Sequence, residues 1–328
     1  MVTARVPTPQ QEDIAAEAFI RVASILRDSG YRFTTPTPST HVRVNNRPLN
    51  ALAQRLEDVF GWSRPFDKQL LSPALFELMT MADIMARDGE DWRSKVRVST
   101  LGDKLFFHSA FPTTEADAVF FGPDTYRFGD AVTHALDRRA APIMRGVDIG
   151  CGAGPGAILM AAACPDAEVW AVDINPAALR LASINAALNG VHNVVPCHSD
   201  LLDSVEGDFD LIISNPPYLV DPGERAYRHG GGPLGADLSL AIVKTALQRL
   251  TPGGTLLLYT GVAIVNGKDL FLNAVEGLLT KSGVTWTYRE VDPDVFGEEL
   301  LNECYADTDR IAAVVLAATR PADLDDPA

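Results

Sequence analysis

Four consecutive residues, Asn215-Pro216-Pro217-Tyr218, carry the most specific chemistry in the sequence. They follow Phe209-Asp210-Leu211-Ile212-Ile213-Ser214, an apolar run of strand type. Residues at the carboxyl end of a strand in an open α/β sheet stand where ligands bind. Proline has no N–H and holds φ at about −65°, so two prolines leave carbonyl oxygens facing the site without competing amides. The Asn215 side-chain oxygen and the Pro216 carbonyl oxygen can accept both hydrogens of a planar NH₂ group, and Tyr218 can stack on that group. Such a nitrogen is a poor nucleophile because its lone pair is delocalised. Holding both N–H bonds lets it turn tetrahedral and aims the lone pair at an electrophile, which combines orientation with electrostatic stabilisation. No strong base is needed before transfer.

The electrophile's carrier is indicated by residues upstream. Val147-Asp148-Ile149-Gly150-Cys151-Gly152-Ala153-Gly154-Pro155-Gly156 follows one strand pattern and opens a helix pattern. Glycines there allow a tight turn and a close backbone approach to a ligand, and helix N-terminal amides face anionic groups. Asp148 precedes the loop, where its carboxylate can meet an ammonium such as that of the methionine part of S-adenosylmethionine (SAM). A pyrophosphate would gain nothing from an anion at that position. Asp173, followed by Ile174, ends the next strand, where an acidic side chain can accept hydrogen bonds from ribose hydroxyls. Ser199-Asp200-Leu201-Leu202 ends a third strand and sets a carboxylate where it can accept from an adenine amino group. SAM is the cofactor expected on these grounds.

The elements that must position these residues alternate from residue 146 onward. Strands are expected at 146–150, 168–174, 193–200, 209–215, 254–261, 284–291 and 310–320, with helices from 155 and over 176–189, 238–250 and 269–281. This alternation predicts a mostly parallel sheet covered by helices on both faces. No helix separates the last two strands, so they are expected as an antiparallel pair, a feature that distinguishes SAM-methyltransferase sheets from ordinary nucleotide-binding ones. Upstream, helices are predicted over 11–28, 49–60 and 72–87, the last capped by Ser72 with Pro73 in its first turn. Residues 34–48, rich in Pro, Thr and Asn, read as a loop that is locally basic through Arg32, Arg43 and Arg47. Short β runs at 95–100 and 104–111 around Leu101-Gly102-Asp103 give a hairpin. A turn is expected at Gly122-Pro123-Asp124-Thr125, then a helix to residue 139. The expected organisation is a helical substrate-recognition domain (1–94), a β-hairpin and linker (95–128), a catalytic domain (129–320) and a disordered polar tail (321–328).

Composition bounds the rest. The chain has 328 residues, 47% hydrophobic and 22% charged, which leaves little room for extensive disorder. No apolar run approaches the roughly 20 residues of a membrane span, and residues 1–10 lack the form of a signal peptide, so a cytoplasmic location is expected. Cys151, Cys164, Cys197 and Cys304 are scattered without a C-x-x-C pair, and the six histidines show no ligand spacing. Free thiols and no metal are expected. Residues 1–140 carry 17 Lys and Arg against 18 Asp and Glu, whereas 141–328 carry 11 against 25. That acidity repels nucleic-acid phosphates unless a local basic patch offsets it, and favours a protein or small-molecule acceptor.

The motifs resemble those of class I SAM-dependent methyltransferases with an Asn-Pro-Pro-Tyr motif, and most closely the HemK-like protein-glutamine N5-methyltransferases. The resemblance spans about residues 95–320. It implies a seven-stranded Rossmann-like sheet with a terminal antiparallel pair, a smaller helical N-terminal domain that selects the substrate, and a β-hairpin join. It also implies that Asn215, Pro216, Pro217 and Tyr218 hold a glutamine amide, with a translation factor as the candidate acceptor. Residues Thr125, Asp148, Gly150, Cys151, Gly152, Gly154, Asp173, Ile174, Asp200, Leu201 and Asn215 would then line the SAM site. Thr125 is assigned by likeness to a Pro-x-x-Thr segment near SAM's methionine end; the bacterial release-factor enzymes usually have Pro-Arg before it, whereas this chain has Phe121-Gly122-Pro123. Alternatives are a nucleic-acid methyltransferase acting on an exocyclic amine, a small-molecule N-methyltransferase, and a NAD-dependent oxidoreductase using residues 150–156, against which the tetrapeptide and final strand pair count. The cluster Arg225, Tyr227, Arg228 and His229 is open between a surface loop and a substrate lid.

Overall fold

The computed structural model describes residues 9–139, 141–221, 225 and 227–322. The tail expected beyond residue 320 lies outside the described residues from 323 onward. The chain divides into two compact units, one reaching to residue 114 with 120–123 and 184–190, the other made of 115–119, 124–183 and the residues from 191.

The first unit opens with α1 (Pro9–Asp28), which buries Ala15, Ala18, Phe19, Val22, Ala23 and Leu26, the three-and-four spacing of one helical face. It continues through α2 (Pro38–Asn45), α3 (Leu56–Phe60) and α4 (Pro73–Met81) to two hairpins, β1 (Met85–Asp88) with β2 (Asp91–Ser94) and β3 (Val96–Leu101) with β4 (Lys104–Ser109). Three expectations change here. Residues 34–48 are not a continuous loop: Pro38 occupies the first turn of α2, and the Thr37 hydroxyl accepts the Thr40 N–H at 3.2 Å. The helix expected over 49–60 is reduced to α3 behind a short 3₁₀ turn at Pro48–Asn50. The helix expected over 72–87 stops at Met81, after which Asp83 takes a left-handed φ of 54° and the chain enters β1.

In the second unit, α5 (Pro123–Arg138) begins inside the residues expected as a turn, because Pro123 fits a first helical turn, where its missing N–H costs nothing. The alternating series follows: β5 (Arg145–Ile149), α6 (Pro155–Ala163), β6 (Glu168–Asp173), α7 (Pro176–Leu188), β7 (Val194–His198), β8 (Phe209–Ser214), α8 (Asp237–Arg249), β9 (Leu250–Val265), β10 (Lys268–Asp269), α9 (Leu270–Lys281), β11 (Thr285–Asp292) and β12 (Arg310–Thr319). Strand order is β11-β12-β9-β8-β5-β6-β7, with the two-residue β10 paired to β9 as an eighth strand. The five strands from β9 to β7 are parallel, and β12 runs antiparallel to both β9 and β11. The α/β sheet with its terminal antiparallel pair is as expected. One core of Val147, Ile149, Ile212, Val243, Leu256, Leu258, Val275, Val314, Leu316 and their neighbours fixes the strands; full burial of each such side chain contributes about 1.5–3 kcal/mol. No helix among the described residues is long and apolar enough to cross a membrane.

Candidate functional site

The parallel register brings the expected site residues to one sheet edge. Ile149 of β5 lies opposite Ser214 of β8 on one side and Val172 of β6 on the other. Gly150, Asp173 and Asn215 therefore leave three adjacent strands at the same level, each strand about 4.8 Å from the next. Asp173 is in turn level with His198 of β7, so Asp200 stands two residues beyond that strand end.

The loop after β5 is fastened to β6. The N–H groups of Gly150 and Cys151 donate to the Val172 carbonyl at 2.9 and 3.0 Å, and Gly152 N–H donates to Asp173 Oδ2 at 2.9 Å. Asn175 N–H reaches the other Asp173 oxygen at 2.9 Å. Asp173 is half-buried, and burial pushes its carboxyl up against the pull of these backbone donors. Gly152 has φ of 54°, a left-handed conformation that glycine adopts without cost. Gly156 is needed for another reason: a Cβ there would stand 2.6 Å from Asp148 Oδ2 and 2.7 Å from Phe128.

Asp148 is 1% exposed. Its Oδ2 accepts the Ala157 N–H of α6 at 2.9 Å, while Oδ1 has no partner among the described residues. Burial pushes this carboxyl up to about 8, with the charge of Asp173 adding to the effect and the Ala157 amide opposing it. A buried acceptor without a donor is costly in a finished fold. Nearby, the Cys151 thiol is buried and pushed up by desolvation, which leaves it unreactive. Ile174 is 52% exposed, Asp200 is exposed, and Leu201 turns the chain with φ of 47°.

On the other side of β5 the tetrapeptide leaves β8, anchored by the Ser214 hydroxyl donating to the Ile149 carbonyl at 2.7 Å. Asn215 and Pro217 are half-buried and Pro216 is buried. Tyr218 is 6% exposed, with its ring against Gly261 of β9, where any Cβ would collide with it. Phe296 and the Tyr218 ring pack edge-to-face at 6.1 Å between centroids.

The Tyr218 hydroxyl donates to Asp124 Oδ2, the Tyr259 hydroxyl to Asp124 Oδ1 at 2.7 Å, and Arg127 Nη1 to the same Oδ1 at 3.1 Å. Arg127 Nη2 also donates to Asp292. Asp124 and Thr125, both in the first turn of α5, are buried. Burial pushes the Asp124 carboxyl up, opposed by hydrogen bonds from the two tyrosines and the Arg127 charge. None of Asp124, Tyr259, Asp292 and Gly261 carries a sequence signal of its own role.

The open cluster after the tetrapeptide is internally paired. Arg225 donates to buried Asp221 through its backbone N–H and its Nε, both at 2.9 Å, and through Nη2 at 2.5 Å. Arg228 ion-pairs with Glu299 and approaches Asp221 at 3.5 Å. These partners, Arg225 first, hold the Asp221 carboxyl down at about 2. His229 Nδ1 accepts the Asp221 N–H at 3.2 Å. Arg43 and Arg47 of the first unit are exposed, and Arg32 donates to the Gly102 carbonyl at 2.9 Å.

Residues 130–266 match the family model described as the Methyltransferase small domain. The release factor glutamine methyltransferase of Deinococcus radiodurans is 39% identical over 159 residues, covering 44% of this chain and 55% of that protein. The release factor glutamine methyltransferase of Cereibacter sphaeroides is 34% identical over 215 residues, 61% of this chain and 71% of that protein. A ribosomal protein uL3 glutamine methyltransferase of Neisseria meningitidis is 37% identical over 126 residues, 35% of this chain and 42% of that protein. The chain thus spans about half the length of two of these relatives and 71% of the third.

Proposed function

The chain belongs to the release factor glutamine methyltransferase family, and from that premise we propose that it transfers a methyl group from SAM to the side-chain nitrogen of a protein glutamine. The observation that carries the reading is the unpartnered Asp148 oxygen, buried one strand away from Asn215 at the same sheet edge. SAM supplies an electrophilic methyl group and, at its other end, an ammonium. The free acceptor of Asp148 fits that ammonium, and Gly156 keeps the carboxylate in place. Asp173 takes the ribose hydroxyls with the lone pairs its backbone donors leave over. Ile174 and Leu201 flank the adenine, and Asp200 accepts from its amino group. Gly150, Cys151, Gly152 and Gly154 allow close backbone approach, and Thr125 belongs to the methionine end.

The chain's contribution to chemistry is orientation. Asn215 Oδ1 and the Pro216 carbonyl accept both N–H bonds of the carboxamide, so the nitrogen pyramidalises with its lone pair free, and the surplus proton leaves afterwards to solvent. Pro217 keeps a competing N–H out of that edge. Tyr218 walls the site. Its ring lies in contact with Gly261 and Phe296, an arrangement that suits a slender aliphatic amide better than a nucleobase needing an open ring face. Arg225 and Arg228 are paired with Asp221 and Glu299, so they offer little to a phosphate. A cytoplasmic protein of the translation machinery is the acceptor this reading favours.

The test incubates the purified protein with methyl-tritiated SAM and, separately, a bacterial release factor, ribosomal protein uL3 and total RNA. Label in acid-precipitable material that protease removes and nuclease leaves is the expected result. Label that survives protease and is released by nuclease contradicts a protein acceptor.

A further inference from the structure

Within the tetrapeptide, the Tyr218 hydroxyl is spent on a side chain of the protein, Asp124. Asp124 lies 94 residues earlier, in the first turn of α5, and is buried. A buried carboxylate is expensive unless donors surround it, and here three do, from Tyr218, Tyr259 and Arg127. Oδ2 is committed to Tyr218, while Oδ1 is shared by Tyr259 and Arg127, so Oδ1 stays anchored when the bond to Tyr218 is removed. Arg127 is itself held by Asp292 at the end of β11. The anchor therefore draws on α5, β9 and β11, three elements of one unit, whereas the tetrapeptide it fastens is an irregular segment after β8.

Gly261 makes room for the Tyr218 ring and Phe296 packs edge-to-face with it, but neither bonds to the hydroxyl. Phe296 adopts a left-handed φ of 52°, which is unfavourable for an aromatic residue and shows that the surrounding loop holds it there.

We propose that Asp124 is a positioning residue of this site, locking Tyr218, and through it the preceding Asn215-Pro216-Pro217 backbone, in the one orientation that receives the acceptor group. The consequence for catalysis rests on the function proposed above; the lock itself does not.

Two measurements separate these. The first needs no acceptor: NMR of the protein carrying ¹³C-labelled tyrosine, in wild type, Asp124→Asn and Tyr218→Phe. The lock gives Tyr218 a hydroxyl proton protected from solvent exchange, identified by its loss in Tyr218→Phe, and Asp124→Asn should shift its ring signals and abolish that protection. An unchanged Tyr218 signal in Asp124→Asn overturns the proposal. The second is methyl transfer to a release factor. Asp124→Asn should lower kcat about tenfold or more with SAM affinity held within about threefold, and the double variant with Tyr218→Phe should be no slower than the slower single variant. Multiplicative losses would mean that Asp124 acts independently of Tyr218, which also overturns it. If Asp124→Asn lacks a cooperative melt, Tyr218→Phe carries the test alone: turnover within about twofold of wild type then contradicts the lock. A wild-type protein that passes the NMR test and leaves the release factor unlabelled would sink the acceptor assignment and leave the lock standing.

Discussion

Asp148 and Asp124 are both buried aspartates of the same unit, and both have carboxyls pushed up by burial. Their surroundings differ in the number of donors. Asp124 is met by two tyrosine hydroxyls and an arginine, so no ligand is needed to satisfy it. Asp148 receives one backbone N–H and leaves an oxygen bare. The contrast assigns them different work under the function proposed here: a carboxylate satisfied by the protein holds protein groups still, while one left unsatisfied is kept for a cationic group arriving from outside. Burial alone would have made the two look alike.

The sharpest way to break this division acts at its output. Asn215 leaves β8 level with Gly150 after β5, and under the proposed function Asn215→Ala would remove an acceptor assigned to the reacting nitrogen alone. Turnover should fall by about a hundredfold or more with SAM affinity nearly intact, as for loss of an orienting electrostatic contact. Normal single-turnover methylation would refute the assignment.

Asp173, assigned to the ribose under the proposed function, should show a smaller effect. Its two backbone donors leave lone pairs for ribose hydroxyls, and each good polar contact contributes about 1–3 kcal/mol, so Asp173→Ala should weaken SAM and its demethylated product by roughly tenfold. Unchanged calorimetric affinity would remove Asp173 from the site.

A further effect is on stability, read as a difference between two pH values. In the folded state the Asp148 carboxyl is pushed from its ordinary 3.8 to about 8. Between those values the folded protein binds more protons than the unfolded chain, so this group's contribution falls as pH rises through that window and is flat above it. Asp148→Asn should therefore raise the melting temperature of the ligand-free protein more at about pH 8 than at about pH 5. An equal shift at both values would mean that Asp148 is not held protonated.

Legibility differed between the two units for physical reasons. In the second unit β5, β8, β9 and β12 are largely buried on both faces, and β5, β6 and β8 lead into glycine, aspartate and Asn-Pro, so pattern and motif reinforce each other, and the edge where Gly150, Asp173 and Asn215 meet follows from strand order. In the first unit, Thr37-Pro38 carries the same cap-then-proline signature as Ser72-Pro73, yet the surrounding Pro and Thr content masked the helix α2. The β1–β2 hairpin turns at Asp88-Gly89-Glu90-Asp91, an Asp-Gly signal that was hidden because residues 72–87 were read as a single helix. Asp124 was legible only as a turn residue, since its partners lie 94 and 135 residues away in sequence, and no local pattern encodes such a contact.

The division of labour between the two carboxylates is tested most directly by calorimetric titration of SAM into Asp148→Asn and Asp124→Asn at a pH above about 8, where Asp148 of the wild type is charged. Replacing the bare oxygen by an amide should weaken SAM about tenfold or more, while the same change at position 124 should leave affinity within about threefold of wild type. Equal losses in both variants, or a loss confined to Asp124→Asn, would contradict the account.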